Sequence, residues 1–380
     1  MDTYLDPDQI AFRDQIARWI DNKLVPRAAE LDRSGLFARD LFEELAGLGY
    51  FGILYPEAYG GTGLADPYFY YTLLCEELAR GSMGFAATVC MHASTATNTI
   101  FKWGTEELRQ KYLVPAIQGK KVGAFAITEP NAGSDAAAIR TRAIKVDGGF
   151  RINGSKIFTS NGAIADFITV AATTDPGAGA KAINLFLLDK KTPGLSVGRQ
   201  LEKFTTHCSD TAELVLDDVF VPEECLLKRG GSGMKAYESL TVDRIFTAAL
   251  ALGGGRAAYD AALRYAKERQ QFGQAIGKFQ AVQFKLVDML ATLEQARLFT
   301  YHVAKCADRG LPITKEAALA KIVAADGCND VCLKALNIFG GYGLMMEFPV
   351  QRYLRDSFFP MIGGGTSDIM RMIVARQLGL

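Results

Sequence analysis

The stretch richest in chemistry is Ala126-Ile-Thr-Glu-Pro-Asn-Ala-Gly-Ser-Asp135. A threonine hydroxyl, small residues and exposed backbone N–H groups can together meet a polar, anionic ligand. Gly133-Ser134 would let the backbone approach a phosphate closely. The same composition also suits a polar loop leading into a strand. Asp243-Arg244 sets a carboxylate beside a guanidinium near the start of a helical stretch, where an aspartate is ordinarily an N-cap or a surface charge. Arg269 alone reads as a charge on a helix surface. The three histidines, His92, His207 and His302, do not pair with Ser or Cys in a nucleophile motif, and no metal-ligand set is visible. Gly47-Leu-Gly49-Tyr-Phe-Gly52 matches GxGxxG. It follows a helix rather than a strand and leads toward Pro56 and Gly60-Gly61, so it reads as a turn.

The elements that must position these residues fall into three blocks. The first is helical. Asp6-Pro7 is a start signal, Phe12, Ile16, Trp19 and Ile20 recur at helical spacing, and Leu41 to Leu48 forms another helix. The character changes near Gly123. Ala143-Ile-Lys-Val, Asp147-Gly-Gly and Phe150-Arg-Ile-Asn-Gly spell strand, turn and strand. Residues 168–172, 184–188 and 214–216 add strands separated by Asp175-Pro-Gly and Thr192-Pro-Gly. From about Ser232 the pattern is helical again, over 235–268, 275–309 and 314–338, with Gly253-Gly-Gly255 expected to interrupt the first. Strands do not alternate with helices, which argues against a doubly wound parallel sheet. The reading is an α+β chain with an N-terminal helical domain (1–122), a middle β-barrel or sandwich domain (123–230) and a C-terminal four-helix-bundle domain (231–380).

Composition narrows the function. The 380 residues carry 42 basic and 42 acidic side chains, so the net charge is zero, and about half are apolar. A disordered chain and a nucleic-acid binder are both disfavoured. Low self-repulsion favours a homo-oligomer. The seven cysteines contain no CxxC pair, and Cys328 and Cys332, four apart, read as small buried side chains. The longest uncharged run, 81–101, holds too many polar residues to span a membrane. The acidic N-terminus lacks the basic head of a signal peptide. The expectation is a cytoplasmic protein without membrane insertion.

Residues 126–135 resemble the first signature of the acyl-CoA dehydrogenases. Ile338-Phe-Gly-Gly-Tyr-Gly-Leu344 with Glu347, Arg352 and Asp356 resembles the second, with Asn337 where the family usually has Gln. Glu268-Arg269-Gln-Gln-Phe272-Gly273 resembles the family's arginine–phenylalanine–glycine segment. The resemblance runs from Leu48-Gly49 to Gly365-Thr366-Ser367 and implies noncovalent FAD without a Rossmann domain. It implies that Ile127, Thr128 and Ser134 cover the flavin and that Phe158 to Ser160 line its other side, with Phe158 in place of the usual Trp. Arg269, Phe272 and Gln280 would reach the pyrophosphate and adenine from a neighbouring subunit; an arginine fork suits a diphosphate. Asn337, Gly340 and Gly341 would touch the adenosine, and Thr366 and Asp368 would lie at the cofactor or shape the turn. Ser134, Arg244, Gly364 and Gly365 would border the substrate. His92 falls where the family lines the acyl pocket, though ordinary packing also suits it.

The implied reaction removes two hydrogens from an acyl thioester. A carboxylate base takes the α proton and the β hydrogen leaves as hydride, giving a 2-enoyl thioester. The chain departs from the family at one position. Where most members carry the base before Gly-Thr-Ser, this sequence has Gly364. Isovaleryl- and long-chain-type members place a Glu before an Arg on a helix instead, which corresponds to Asp243 here. Asp is shorter than Glu by roughly 1.5 Å, and misplacement by ~1 Å costs about a hundredfold in rate. Glu238 is a weaker candidate, offset by about 500° along a helix. The glycine at 364 leaves room for a branched, cyclic or bulky acyl group. The resemblance further implies acyl-CoA substrate, an electron-transfer flavoprotein as acceptor and a homotetramer built as a dimer of dimers. A flavin oxidase or monooxygenase, a carrier-protein-linked dehydrogenase and an inactive acyl-CoA-binding homologue remain alternatives.

Overall fold

The computed structural model describes residues 4–227 and 241–380. Asp6 caps helix α1 (Pro7–Trp19). Its side chain accepts from Gln9 N–H while the Gln9 side chain accepts from Asp6 N–H, and Pro7 supplies the first turn. Helices α2 (Ala28–Ser34), α3 (Arg39–Gly47) and α4 (Pro67–Gly81) follow. Then α5 (Met83–Cys90) runs through a wide π-helical turn, Met91–Ala96, into α6 (Thr97–Trp103). The GxGxxG match is a 3-10 turn after α3, with Gly49 in the left-handed region.

Among the described residues, seven strands form one sheet: β1 (Gly123–Ala126), β2 (Arg142–Val146), β3 (Gly149–Ser160), β4 (Phe167–Thr173), β5 (Ile183–Asp189), β6 (Leu195–Gln200) and β7 (Thr211–Pro222). The order is β1-β4-β2-β3-β7-β6, with β5 pairing to β4. β1 and β4 run parallel, while β3 pairs antiparallel with both β2 and β7. β3 carries register shifts between Ile152 and Gly154 and between Lys156 and Thr159. The second turns Phe158 outward.

The C-terminal helices are α7 (Thr241–Glu268), α8 (Gln280–Asp308), α9 (Thr314–Phe339), α10 (Val350–Ser357), α11 (Phe359–Ile362) and α12 (Ser367–Gln377). α9 packs against α7, α8 and α12 to form the C-terminal bundle, and α7 also packs along α4. Gly253, Gly254 and Gly255 do not interrupt α7, contrary to the sequence expectation. The helix is continuous through them because they are contact points. A β carbon on Gly253 would stand 2.1 Å from the Glu76 carbonyl oxygen of α4, and one on Gly255 would stand 2.9 Å from Cys328 of α9. The second long helix begins at Gln280 rather than 275. A small hairpin, β8 (Gln270–Gln271) and β9 (Gln274–Ala275), precedes it. Cys328 and Cys332 are buried between α7 and α9, as their spacing suggested.

Candidate active site

Asp243 sits in the first turn of α7. It keeps a small opening to solvent and is otherwise enclosed by protein. Burial pushes its carboxyl up to about 6, against the opposing pull of Ser94, Lys102, Thr95 and Arg244. Ser94 and Thr95 come from the π-helical turn between α5 and α6, and Lys102 from α6. The Asp243 charge is also felt by Tyr55, Tyr68 and Tyr71, whose phenols burial raises first. Sequence reading missed Ser94, Thr95 and Lys102. Their signal was a pair of hydroxyls inside a long uncharged helical run, closed by one lysine.

Arg244 is largely buried, which lowers its pKa against the pull of Asp243, and its Nε has no hydrogen-bond partner among the described residues. Thr247, one turn past Asp243, donates its hydroxyl to the Asp243 carbonyl at 2.8 Å. A β carbon on Gly364 would stand 3.6 Å from that same hydroxyl. The structure therefore brings Gly364, distant in sequence, against the turn of α7 that begins at Asp243-Arg244. Gly364 and Gly365 are both left-handed, with φ of 67° and 96°. Glu238 lies outside the described residues.

The sheet residues are positioned by a buried ion pair. Glu129 accepts from Lys156 Nζ at 2.7 Å and from the N–H groups of Arg140 (2.6 Å) and Thr141 (2.9 Å). Lys156 also donates to the Ile127 carbonyl at 3.0 Å, and Ile157 N–H to the Thr128 carbonyl at 2.9 Å. Burial raises the Glu129 carboxyl, but the Lys156 ion pair and these donors outweigh it and hold it below the usual range. Burial brings Lys156 down to about 8. The pair fixes the loop bearing Ile127, Thr128 and Ser134 onto β3, which bears Phe158 and Ser160. Ser134 is exposed, while Ile127, Thr128 and Ser160 are half-buried.

Phe158 and Phe272 are large apolar side chains exposed by 64% and 90%, and both sit on left-handed backbone, with φ of 56° and 53°. A bulky residue held there is strained, and such strain persists where function needs it. Phe272-Gly273 forms the two-residue turn of the β8–β9 hairpin. At the base of the hairpin, the Arg269 guanidinium lies 5.2 Å from the Tyr342 ring centroid. Arg269, Gly341 and Tyr342 border a cleft of about 500 Å³ whose floor is the stacked Tyr265–Phe339 pair. Gln280, Asn337 and Gly340 are exposed close by in sequence. Thr366 caps α12, accepting from Ile369 N–H, and Asp368 has a 92% exposed side chain paired with Arg371.

His92 is fully buried. It accepts from Gly123 N–H at Nδ1 (3.0 Å) and faces the Ala116 carbonyl with Nε2 (3.1 Å), so it joins α5–α6 to β1 as a neutral ring. Burial lowers it to about 4, against the Ala116 hydrogen bond. Ordinary packing is its role. No group of three or more metal-ligating side chains occurs among the described residues.

Three domain profiles match the chain: acyl-CoA dehydrogenase, N-terminal domain, over 6–120; middle domain, over 124–219; and C-terminal domain, over 231–379. The chain belongs to the acyl-CoA dehydrogenase family. It is 43% identical over its whole length, and over the whole of the relative, to benzylmalonyl-CoA dehydrogenase of Aromatoleum aromaticum. A chain solved in work on the electron transferring flavoprotein of Acidaminococcus fermentans is 41% identical, with a TM-score of 0.96 over 100% of this chain and 99% of that one. An FAD complex of PigA is 32% identical, with a TM-score of 0.95 over the full length of both. The chain is thus an FAD-dependent oxidoreductase acting on the CH–CH bond of an acyl-CoA. An exposed aromatic wall, an arginine beside an open cleft and, among the described residues, the absence of a strand–GxGxxG–helix unit fit that cofactor. Among the described residues, no helix is long and apolar enough to cross a membrane.

Proposed function

We propose that the chain dehydrogenates the α,β bond of a branched, cyclic or otherwise bulky acyl-CoA, with Asp243 as the base. The observation that carries this is the enclosed Asp243 carboxyl, raised to about 6, one turn from a hydroxyl that faces Gly364. At neutral pH such a group is ionised yet basic enough to accept a carbon-bound proton. The family's more common base position holds no acceptor here, and its missing side chain leaves volume for the acyl group. A full-length relative whose name places a benzyl substituent on its substrate supports a bulky group.

Bound FAD supplies the hydride acceptor. Ile127, Thr128, Ser134, Phe158 and Ser160 position its ring on the β side, and Thr366 and Asp368 border it at the start of α12. Arg269, Phe272, Gln280, Asn337, Gly340 and Gly341 hold the diphosphate and adenosine of a neighbouring subunit's cofactor, in a homotetramer built as a dimer of dimers. Ser134, Arg244, Gly364 and Gly365 line the thioester. Electrons pass to an electron-transfer flavoprotein, a reading supported by the relative solved in work on such a protein, and the enzyme works in the cytoplasm.

The test is anaerobic bleaching of the flavin across straight, branched and ring-bearing acyl-CoAs, with the wild type and Asp243→Asn. Bulky thioesters should bleach the wild type fastest, and Asp243→Asn should keep FAD while slowing bleaching about 10²–10⁴-fold. Normal bleaching in the variant would remove Asp243 from the role. Rapid oxygen consumption by the reduced flavin would point to an oxidase instead.

A further inference from the structure

Lys321 of α9 is buried, and its ammonium is spent on two backbone carbonyls. It donates to Gly363 O at 2.7 Å and also to Gly365 O. These carbonyls flank Gly364, the residue opposite Thr247, one turn along α7 from Asp243. A trans peptide is planar, with C=O and N–H on opposite sides. A Gly363 carbonyl turned to Lys321 therefore sends the Gly364 N–H the other way, and that N–H has no acceptor among the described residues. The left-handed backbone at Gly364 and Gly365 lets both carbonyls reach one ammonium.

The reaction needs a donor at this place. Removing the α proton moves negative charge onto the thioester oxygen, and a preorganised donor aimed at that oxygen lowers the barrier. We propose that Lys321 is a positioning residue for the reaction: by gripping the carbonyls of Gly363 and Gly365 it fixes the Gly364 N–H as a donor to the substrate thioester oxygen. This rests on the dehydrogenase reading above. The ammonium also polarises the peptides it touches, which strengthens the N–H on the far side.

The charges facing Lys321 are Arg244 from α7 and Asp326 on its own helix, while the glycine loop offers only carbonyls. Burial and then Arg244 lower its pKa to about 7, against Asp326. The grip is therefore strongest below neutral pH.

The proposal is tested with the holoenzyme and a bound aryl-conjugated enoyl thioester, whose absorption moves to longer wavelength as its carbonyl is polarised. The wild type should show the shift. Lys321→Met should lose most of it and bleach about 10²-fold more slowly, with kcat falling far more than KM changes, and Lys321→Arg should restore part of both. A full shift in Lys321→Met, with bleaching within threefold of wild type, overturns the proposal. If Lys321→Met fails to fold or to load FAD, a pH series decides. It uses the Asp243→Asn background, so that Asp243 does not titrate. The shift should shrink as pH rises through about 7, and a constant shift from about pH 6 to 9 overturns the proposal. The optical readout needs binding but no turnover. A wild type that shows the shift without bleaching therefore faults the functional reading and leaves the Lys321 role standing.

Discussion

Gly364 faces Thr247, with 3.6 Å between the threonine hydroxyl and the place where a side chain at 364 would begin. Thr247 is one helical turn past Asp243 and bonded to its carbonyl. Gly364 thus packs against the turn of α7 that begins at Asp243, and the proposed function makes the two positions equivalent, with only one of them carrying a carboxylate.

A transplant tests that equivalence. Asp243→Ala should abolish bleaching, and Asp243→Ala with Gly364→Glu should recover part of it. Gly364 has a φ of 67°, so the glutamate costs about 1–2 kcal/mol of backbone strain, read as a lower unfolding temperature. Gly364→Glu alone should slow bulky thioesters more than straight ones. A double variant as inactive as Asp243→Ala would show that the two positions do not reach the same carbon.

The Asp243 pKa sets the acid limb of the rate profile. Its carboxyl is raised to about 6, so the competent base appears as pH climbs through that value. kcat/KM should rise through about pH 6 and then level. The same shift has the opposite sign for stability. Between the ordinary carboxylate value and about 6 the folded state binds the proton more tightly than the unfolded chain, so this contribution weakens as pH rises. Asp243→Asn should therefore unfold at a higher temperature than wild type at pH 7, with the two converging near pH 4. Thermal melts at both pH values measure this.

Breaking the Glu129–Lys156 pair should loosen the flavin-facing loop. Lys156→Met leaves a buried carboxylate without its cation, a loss of about 3–5 kcal/mol. Denaturant unfolding should show that loss, and the FAD content after gel filtration should fall. Replacing both partners by apolar residues should recover stability better than cofactor retention.

Phe272 separates subunit stability from assembly. Phe272→Gly relieves a left-handed aromatic and should leave the unfolding temperature of the isolated subunit unchanged or higher. It should also lower the sedimentation mass and the bound FAD at low protein concentration. Unchanged mass and FAD across a hundredfold dilution would detach Phe272 from the interface.

The start of α1 was legible because its Asp6-Pro7 signal is local, and the order helix–sheet–helix because each block keeps its own periodicity. Asp243 was located through the resemblance, and its burial came only with the fold. Other features depend on partners distant in the chain. Gly253-Gly-Gly255 reads as a break in isolation, since glycine disfavours helix; it became helix because α4 presses against it. β6 was missed because it is an exposed edge strand whose polar residues hide the alternation. Lys321 and Gly364 lie 43 positions apart, and nothing local to either announces the other.

The close seat of Gly253 on the α4 backbone makes α7 a lever. Its contact point lies ten residues from Asp243, about 15 Å along the helix axis. Any side chain at 253 would pry the helices apart and swing the carboxylate at the far end. Changes of acyl preference can therefore arise at a residue that no substrate touches, and a search for determinants of selectivity should extend to this fulcrum.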